Sequence, residues 1–250
     1  MNDSMLVSII TATYNSAATI TDTLHSVHSQ THPAIEHLII DGASSDNTLE
    51  IIQNGPGRYR IHSEKDKGIY DAMNKGIAMA NGDIIGILNS DDMYTGPRVI
   101  EKVVELFQQE GCDAVYGDLI YVDAADTAVV KRKWVAGPYS LNSFLYGWMP
   151  PHPTFFVKKS VYEQFGGFNL NLFTAADYEL MLRFLYRYGI KVAYLQEVMV
   201  KMRTGGASNQ SIRNRILANK GDRMAWKING LKPYWFTLYA KPIRKITQFI

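Results

Sequence analysis

Apolar residues in the first half of this chain follow two alternating rhythms. Residues 6–12 (LVSIITA), 35–41 (IEHLIID), 58–63 (RYRIHS), 83–89 (DIIGILN) and 113–123 (DAVYGDLIYVD) have strand length and a strand-like composition. Between them the apolar positions recur at helical spacing. Ile20, Leu24 and Val27 form one such set, and Ile69, Met73, Ile77 and Ala80 share a face of 68–80. Asp46 is placed to cap the helix after the second strand, and Pro97 introduces the helix 98–109. Alternation of this kind predicts a parallel sheet flanked by helices. After about residue 125 it weakens. Residues 128–135 (AVVKRKWV), 152–159 (HPTFFVKK) and 190–202 (IKVAYLQEVMVKM) read as strands, and 175–189 (AADYELMLRFLYRYG) as an amphipathic helix closed by Gly189. The last 40 residues read as helical, aromatic and basic. Tyr70 and Met73 are expected in the core, and Lys131, Arg132 and Lys133 on a solvated strand face.

Composition changes this picture little: 250 residues, 46% hydrophobic and 20% charged, fit an ordinary globular chain. The one cysteine, Cys112, excludes an internal disulfide framework and a multi-cysteine zinc site, and it suits a reducing compartment. The N-terminal residues lack the pattern of a signal peptide, and no apolar run approaches about 18 residues. The expectation is a cytoplasmic protein. Charge is more telling. The net value of +2 conceals eleven Lys or Arg against one acid, Asp222, from residue 201 onward. An acidic body with a basic tail is expected to meet something anionic.

The strands end in polar residues, which is where ligands gather in doubly wound sheets. The first strand runs into Thr11-Ala12-Thr13-Tyr14-Asn15, the second into Asp41-Gly42-Ala43-Ser44-Ser45-Asp46 and the third into Glu64-Lys65-Asp66-Lys67-Gly68. The fourth stops at Asn89-Ser90-Asp91-Asp92, two like charges side by side that are eased by a nearby cation. A nucleoside diphosphate held by Mg²⁺ or Mn²⁺ fits this set, because hard cations take carboxylate oxygens and fill their remaining sites with water and phosphate. Neither G-x-G-x-x-G after the first strand nor G-x-x-x-x-G-K-[ST] is present, which argues against a dinucleotide oxidoreductase and a P-loop NTPase.

The segments VSIITATYN, HLIIDGASSDNT, SEKDKGIYDAMNKGIAMANGDIIGILNSDD and TAADYELMLRF, in this order, resemble the successive motifs of family-2 glycosyltransferases of the GT-A fold. The likeness spans about residues 5–210 and is nearest to bacterial enzymes that build exopolysaccharide, capsule or O-antigen. It implies an α/β, Rossmann-like, mostly parallel sheet with a helical, basic and aromatic C-terminal tail. In domain terms, residues 1–210 form the GT-A domain, with a nucleotide-sugar half at 1–120 and an acceptor half at 121–210, followed by the tail at 211–250.

The resemblance also implies roles. Thr11, Thr13, Tyr14, Asn15, Asp41, Asp66, Lys67, Gly68, Asn74, Asn89, Ser90 and Asp91 would line the nucleotide-sugar site, with Asp41 on the base. Where the family often has a second acid, Gly42 stands. The D-x-D metal motif appears as Asn89-Ser90-Asp91, so its first acid is an amide; Asp91, with Asp92 beside it, would hold Mg²⁺ or Mn²⁺. Asp177 matches the general base of inverting members, although an acid in a first helical turn also serves as a cap. His152 matches an acceptor-side position or is a loop histidine. Gly205, Gly206 and Ser208 match a segment that folds over the diphosphate, or simply make a turn.

The implied reaction is inverting transfer from a nucleotide-diphospho-sugar, UDP-linked by preference and GDP-linked as an alternative, to a saccharide or polyprenyl-linked saccharide. A nucleotidyltransferase would need a Gly-rich, basic loop after the first strand, which TATYNSAAT lacks; a non-catalytic nucleotide-sugar-binding protein would not need Asp177. The tail interleaves Trp226, Tyr234, Trp235, Phe236 and Tyr239 with basic residues, the composition of a segment lying in the interface of an anionic membrane, unless the aromatics pack back on the body or on another subunit. No nucleic-acid-binding module accompanies it.

Overall fold

A computed structural model describes residues 5–172, 174–205 and 212–246. Its first half alternates as the apolar rhythm predicts: β1 (Val7–Thr13), α1 (Ile20–His28), β2 (Ile35–Asp41), α2 (Thr48–Asn54), β3 (Tyr59–Ser63), α3 (Ile69–Met79) and β4 (Ile84–Ile87). There follow β5 (Met93–Tyr94), α4 (Val99–Glu110), β6 (Ala114–Val122), β7 (Val130–Trp134), β8 (Phe156–Lys158) and α5 (Lys159–Phe165). The chain continues through α6 (Ala176–Met181), β9 (Val192–Arg203), α7 (Ile212–Ile228) and α8 (Thr237–Ile246). Among the described residues one sheet runs in the order β3-β2-β1-β4-β8-β6-β9-β5, with β7 on β6.

Strand direction decides where the site can be. β1, β2, β3 and β4 are mutually parallel; β8 runs against both β4 and β6, and β9 is parallel to β6. Two reversals restore the original sense, so β6 and β9 point the same way as β1 to β4. The sheet is therefore mostly parallel in direction although β8 interrupts it, and six carboxyl ends share one edge.

Each face of the sheet has its own apolar layer, as the period of two requires. Ile10, Leu38, Ile85 and Tyr116 belong to one layer, with Met73 and Phe184 packed on them; Val7, Ile9, Ile84 and Val115 belong to the other, covered by Val103 and Phe107 of α4. On α3 the buried residues are Ala72, Met73 and Gly76, while Ile69 is exposed, because the helix leaves Gly68 with its first turn directed outward. The helix expected over 175–189 changes after Met181 into a π-helical stretch, Leu182–Arg187. There Arg183 binds Glu179 through Nε at 2.9 Å and donates to the carbonyls of Phe165, Gly166 and Gly167. Two short elements, β5 and α5, carry too few apolar repeats to be visible in the sequence.

The expected boundaries at 120/121 and 210/211 are not packing boundaries. One apolar layer contains Ile10, Tyr178 and Trp226 together. Trp226 of α7 is fully buried and donates Nε1–H to the Tyr178 hydroxyl at 2.9 Å, while Asn229 donates to Glu179 at 3.0 Å. Trp226 is thus a core residue and not a membrane anchor.

His37 on β2 is buried, sits 3.0 Å from the Thr11 hydroxyl and meets Tyr59 edge-on. Burial pushes its pKa down to about 3 from the usual 6.5. The folded value lies below the unfolded one, so the stability from keeping it neutral is full above about pH 6.5 and is lost as pH falls towards about 3. The loss amounts to on the order of 4 kcal/mol. In His37→Gln, thermal unfolding measured from pH 7 to pH 4 is expected to fall less steeply than in the native protein; parallel curves would contradict this.

Candidate active site

The first two loops at the shared edge are locked together before any ligand is considered. Asn15 and Ala43 both have left-handed backbone, φ +50° and +63°, which costs a residue such as alanine about 1–2 kcal/mol. Hydrogen bonds hold them there. The Asn15 N–H donates to Ser44 Oγ at 2.8 Å, and Asn15 Oδ1 accepts from the Ser45 N–H at 2.9 Å. Ser16 and Ser90 hydroxyls meet at 2.7 Å, tying the loop after β1 to the loop after β4.

Several residues expected at the nucleotide site also take part in this frame. Asp41 is fully buried: it accepts from the Ser44 hydroxyl at 2.5 Å, the Ser44 N–H at 3.1 Å and the Ser63 hydroxyl at 2.6 Å. Thr11 faces His37 inside the protein, and Thr13 is buried as well. Asn74 spends its amide on Phe168, donating to its carbonyl at 2.9 Å and accepting from its N–H at 2.8 Å. Asn15 and Ser90 act through the loop bonds just described.

What faces outward is a smaller set. Tyr14 is 62% exposed, and Gly42 lies beneath it. A Cβ on Gly42 would stand 2.5 Å from the Asp66 carboxylate and 3.4 Å from the Tyr14 ring, so the missing side chain allows Asp66 and Tyr14 to converge. Asp66 Oδ1 accepts the Gly68 N–H at 2.8 Å; Gly68, at φ +113°, takes a conformation suited to glycine and starts α3. Lys67 is exposed beside it.

Asp91 and Asp92 point to different environments. Asp92 is fully buried, with the Asn89 amide 3.4 Å from Oδ2; burial, and secondarily Asp91, hold its pKa well above the usual range. Its carboxylate is thus less open to a ligand than that of Asp91, although its Oδ1 has no hydrogen-bond partner. The Asp91 carboxylate lies at the half-buried surface, and burial raises its pKa against the attraction of Arg203 and His152. Arg203, at the end of β9, donates to the Asp91 carbonyl at 2.8 Å and pairs with Asp22 of α1. No role was legible for it in the sequence, although an arginine ending a strand just before Gly205 was the available signal.

Asp177 does not act as a helix cap in this arrangement. Its Oδ1 accepts the Tyr70 hydroxyl at 3.2 Å, and its Oδ2 is 3.5 Å from His152 Nδ1. Burial lowers the His152 pKa, while Asp177 and then Asp91 pull it back up. The turn carrying His152 is fixed by Thr154, whose hydroxyl donates to the Gly117 carbonyl of β6 at 2.9 Å. Tyr70 was expected in the core; its ring does stack on Phe168, but its hydroxyl reaches the site, where burial and Asp177 raise its pKa. Gly205 is exposed with φ +101°, and Gly206 and Ser208 lie outside the described residues.

The sequence and the fold are similar to those of known proteins. The profile of Glycosyl transferase family 2 covers residues 8–185. An uncharacterized glycosyltransferase of Mycobacterium tuberculosis is 35% identical over 191 residues, 73% of this chain and 70% of the relative. A PGL/p-HBAD biosynthesis glycosyltransferase of Mycobacterium bovis is 29% identical over 85% of this chain and 82% of its own. In fold, the chain is similar to Staphylococcus aureus TarS 1–349 in complex with UDP-GlcNAc, with TM-score 0.70, 16% identity, and coverage of 94% of this chain and 69% of that one. It spans 41% of a longer TarS chain. It is likewise similar to the mannosyltransferase PcManGT of Pyrobaculum calidifontis in complex with GDP-Man and Mn²⁺, with TM-score 0.68, 19% identity, and coverage of 96% and 70%.

A divalent metal can be tested against the residues present. Among the described residues no three His, Cys, Asp or Glu side chains gather to hold an ion. The protein offers the Asp91 carboxylate, desolvated and incompletely compensated. That sparse set suits a hard cation that takes its remaining ligands from phosphate and water. Asp91→Asn is expected to lose Mn²⁺ binding measured by electron paramagnetic resonance in the presence of UDP, whereas Asp92→Asn is expected to keep it. Loss in the second variant alone would reverse the assignment.

Proposed function

Since the chain belongs to glycosyl transferase family 2, we propose that it is an inverting, metal-dependent transferase that moves a sugar from a nucleotide-diphospho-sugar to a saccharide or lipid-linked saccharide. The observation that carries this reading is the convergence of two acids on His152: Asp177 of α6 lies 3.5 Å from its ring, and Asp91, from the loop after β4, is close enough for its charge to act on the same ring. The nucleotide base is assigned to the exposed Tyr14 ring, with Asp66 beside it, and the diphosphate to the side of Asp91. A UDP-linked donor is favoured and a GDP-linked one is the alternative; complexes of the two structural neighbours with UDP-GlcNAc and GDP-Man support a nucleotide sugar without choosing between them.

In the reaction, Asp177 takes the proton of the acceptor hydroxyl. The oxygen bonds to the anomeric carbon on the face opposite the phosphate, and the bond to phosphate breaks with its electron pair leaving on the nucleoside diphosphate. Tyr70 and His152 hold the two Asp177 oxygens, so the base meets the acceptor in one orientation. When bound, a divalent cation at Asp91 supplies charge neutralisation for the departing diphosphate. The place of work is the inner face of the cell membrane, with the protein held peripherally by its basic, aromatic tail. Among the described residues no helix is long and apolar enough to cross a membrane.

Asp177→Asn is expected to lower kcat by about 10²- to 10⁴-fold and to leave UDP affinity unchanged, because the base acts only in the chemical step. Tyr70→Phe should cost roughly ten- to a hundredfold in kcat, the worth of one hydrogen bond to a charged group, with donor KM unchanged. The product's anomeric configuration, read by NMR, should be the inverse of the donor's. Retained configuration, or full turnover by Asp177→Asn, would overturn the mechanism.

A further inference from the structure

Folding divides the tail's aromatic residues into two groups. Trp226 and Leu238 enter the core, and Thr237 ties α8 to the body by donating its hydroxyl to the Leu145 carbonyl at 2.6 Å. Others stay outside. Trp235 is 85% exposed, and Tyr234, Tyr239 and Ile243 are also exposed. They do not stand alone. Tyr146, from the body, meets Tyr234 at 6.2 Å and Phe236 at 5.8 Å between ring centroids; Trp235 meets Phe236 at 5.7 Å. Tyr239 and Ile243 are exposed one turn apart along α8, and Arg223 of α7 lies 5.9 Å from the Tyr239 ring.

The charge on this part of the molecule is one-sided. Lys220, Arg223, Lys227, Lys232 and Arg244 are exposed. Asp222, the one acid between residues 212 and 246, is buried and paired with Lys241 at 2.8 Å, so no carboxylate faces outward. Apolar rings beside basic side chains, with acid withdrawn, suit a surface that is apolar just below an anionic layer.

We propose that the rings of Tyr146, Tyr234, Trp235 and Tyr239, with Ile243, form a composite docking surface for an anionic lipid bilayer, to which both the body and the tail contribute. This rests on the peripheral placement given above and names the residues responsible. Docking fixes the chain from two sequence-distant segments at once, so it sets an orientation and does not merely tether a flexible end. It also places the bilayer against the elements that support Asp177, because α7 and α8 pack on Tyr178, the next residue in the chain. An acceptor carried on a lipid would then approach from the docked side.

The test is co-sedimentation of the full chain with vesicles of phosphatidylcholine alone or of phosphatidylcholine mixed with anionic phosphatidylglycerol. The native protein is expected to sediment with the anionic vesicles and to be released by salt. Trp235→Ser with Tyr239→Ser should partition about tenfold less, and Tyr146→Ser should weaken binding further, with unchanged circular dichroism and unchanged UDP release from soluble donor. Native-like sedimentation of the double variant would overturn the assigned surface while leaving peripheral placement intact. Failure of the native chain to sediment would overturn both. A native dimer in sedimentation velocity that the double variant loses, without vesicle binding, would make this face a self-interface and also overturn the proposal.

Discussion

One buried guanidinium joins the late part of the sheet to the early part at the site. Arg203 ends β9, bonds the carbonyl of Asp91 after β4 and pairs with Asp22 on α1. Those three elements come from distant parts of the chain, and each contributes to the same edge. Arg203 is buried while Asp22 is exposed, so the half-solvated ion pair adds little and the anchor is the buried guanidinium on the Asp91 carbonyl. The bond to its carbonyl positions the Asp91 backbone before any ligand arrives. Fixed backbone is what a sparse metal site needs, because one carboxylate cannot define a coordination geometry by itself.

The same economy applies to the base. Asp177 begins a short helix whose partners are all supplied by other segments: Tyr70 from α3, His152 from a turn locked to β6, and Trp226 from α7 behind Tyr178. The Glu179–Arg183–Asn229 network pins the turn around 165–167, and Asn74 pins Phe168. Rigidity here is assembled from buried polar contacts, which lose more when broken than they gain when formed. The strained Asn15 and Ala43 backbone belongs to the same design, since such conformations persist only where neighbours over-determine them.

Much of the frame was legible in the sequence because strand and helix periods differ, and because polar residues interrupt each apolar run at one end. Side-chain direction was not legible. Whether Asp91 or Asp92 faces outward depends on the turn after β4, and neighbouring carboxylates are chemically alike. Asp41 and Thr11 carry the right chemistry for a ligand, and spacing could not show that Ser44 from the next loop, Ser63 of β3 and His37 of β2 also engage their polar atoms. Tyr70 packs on the core as its spacing suggests, but helical spacing does not report how far a phenol reaches past it. Arg203 resembled any other basic residue of the tail until β9 buried it. The tail's composition showed an affinity for interfaces, but only packing separates Trp226 from Trp235.

The central claim is that one edge of this sheet holds a nucleoside diphosphate beside Asp91 with Asp177 opposite. A crystal soaked with UDP and MnCl₂, examined by anomalous scattering at the manganese edge, tests it most directly. The account predicts an anomalous peak on the Asp91 carboxylate, the base against the Tyr14 ring, and Asp177 facing the open side of the diphosphate. Manganese on Asp92, or UDP bound away from Tyr14 and Asp91, would contradict it.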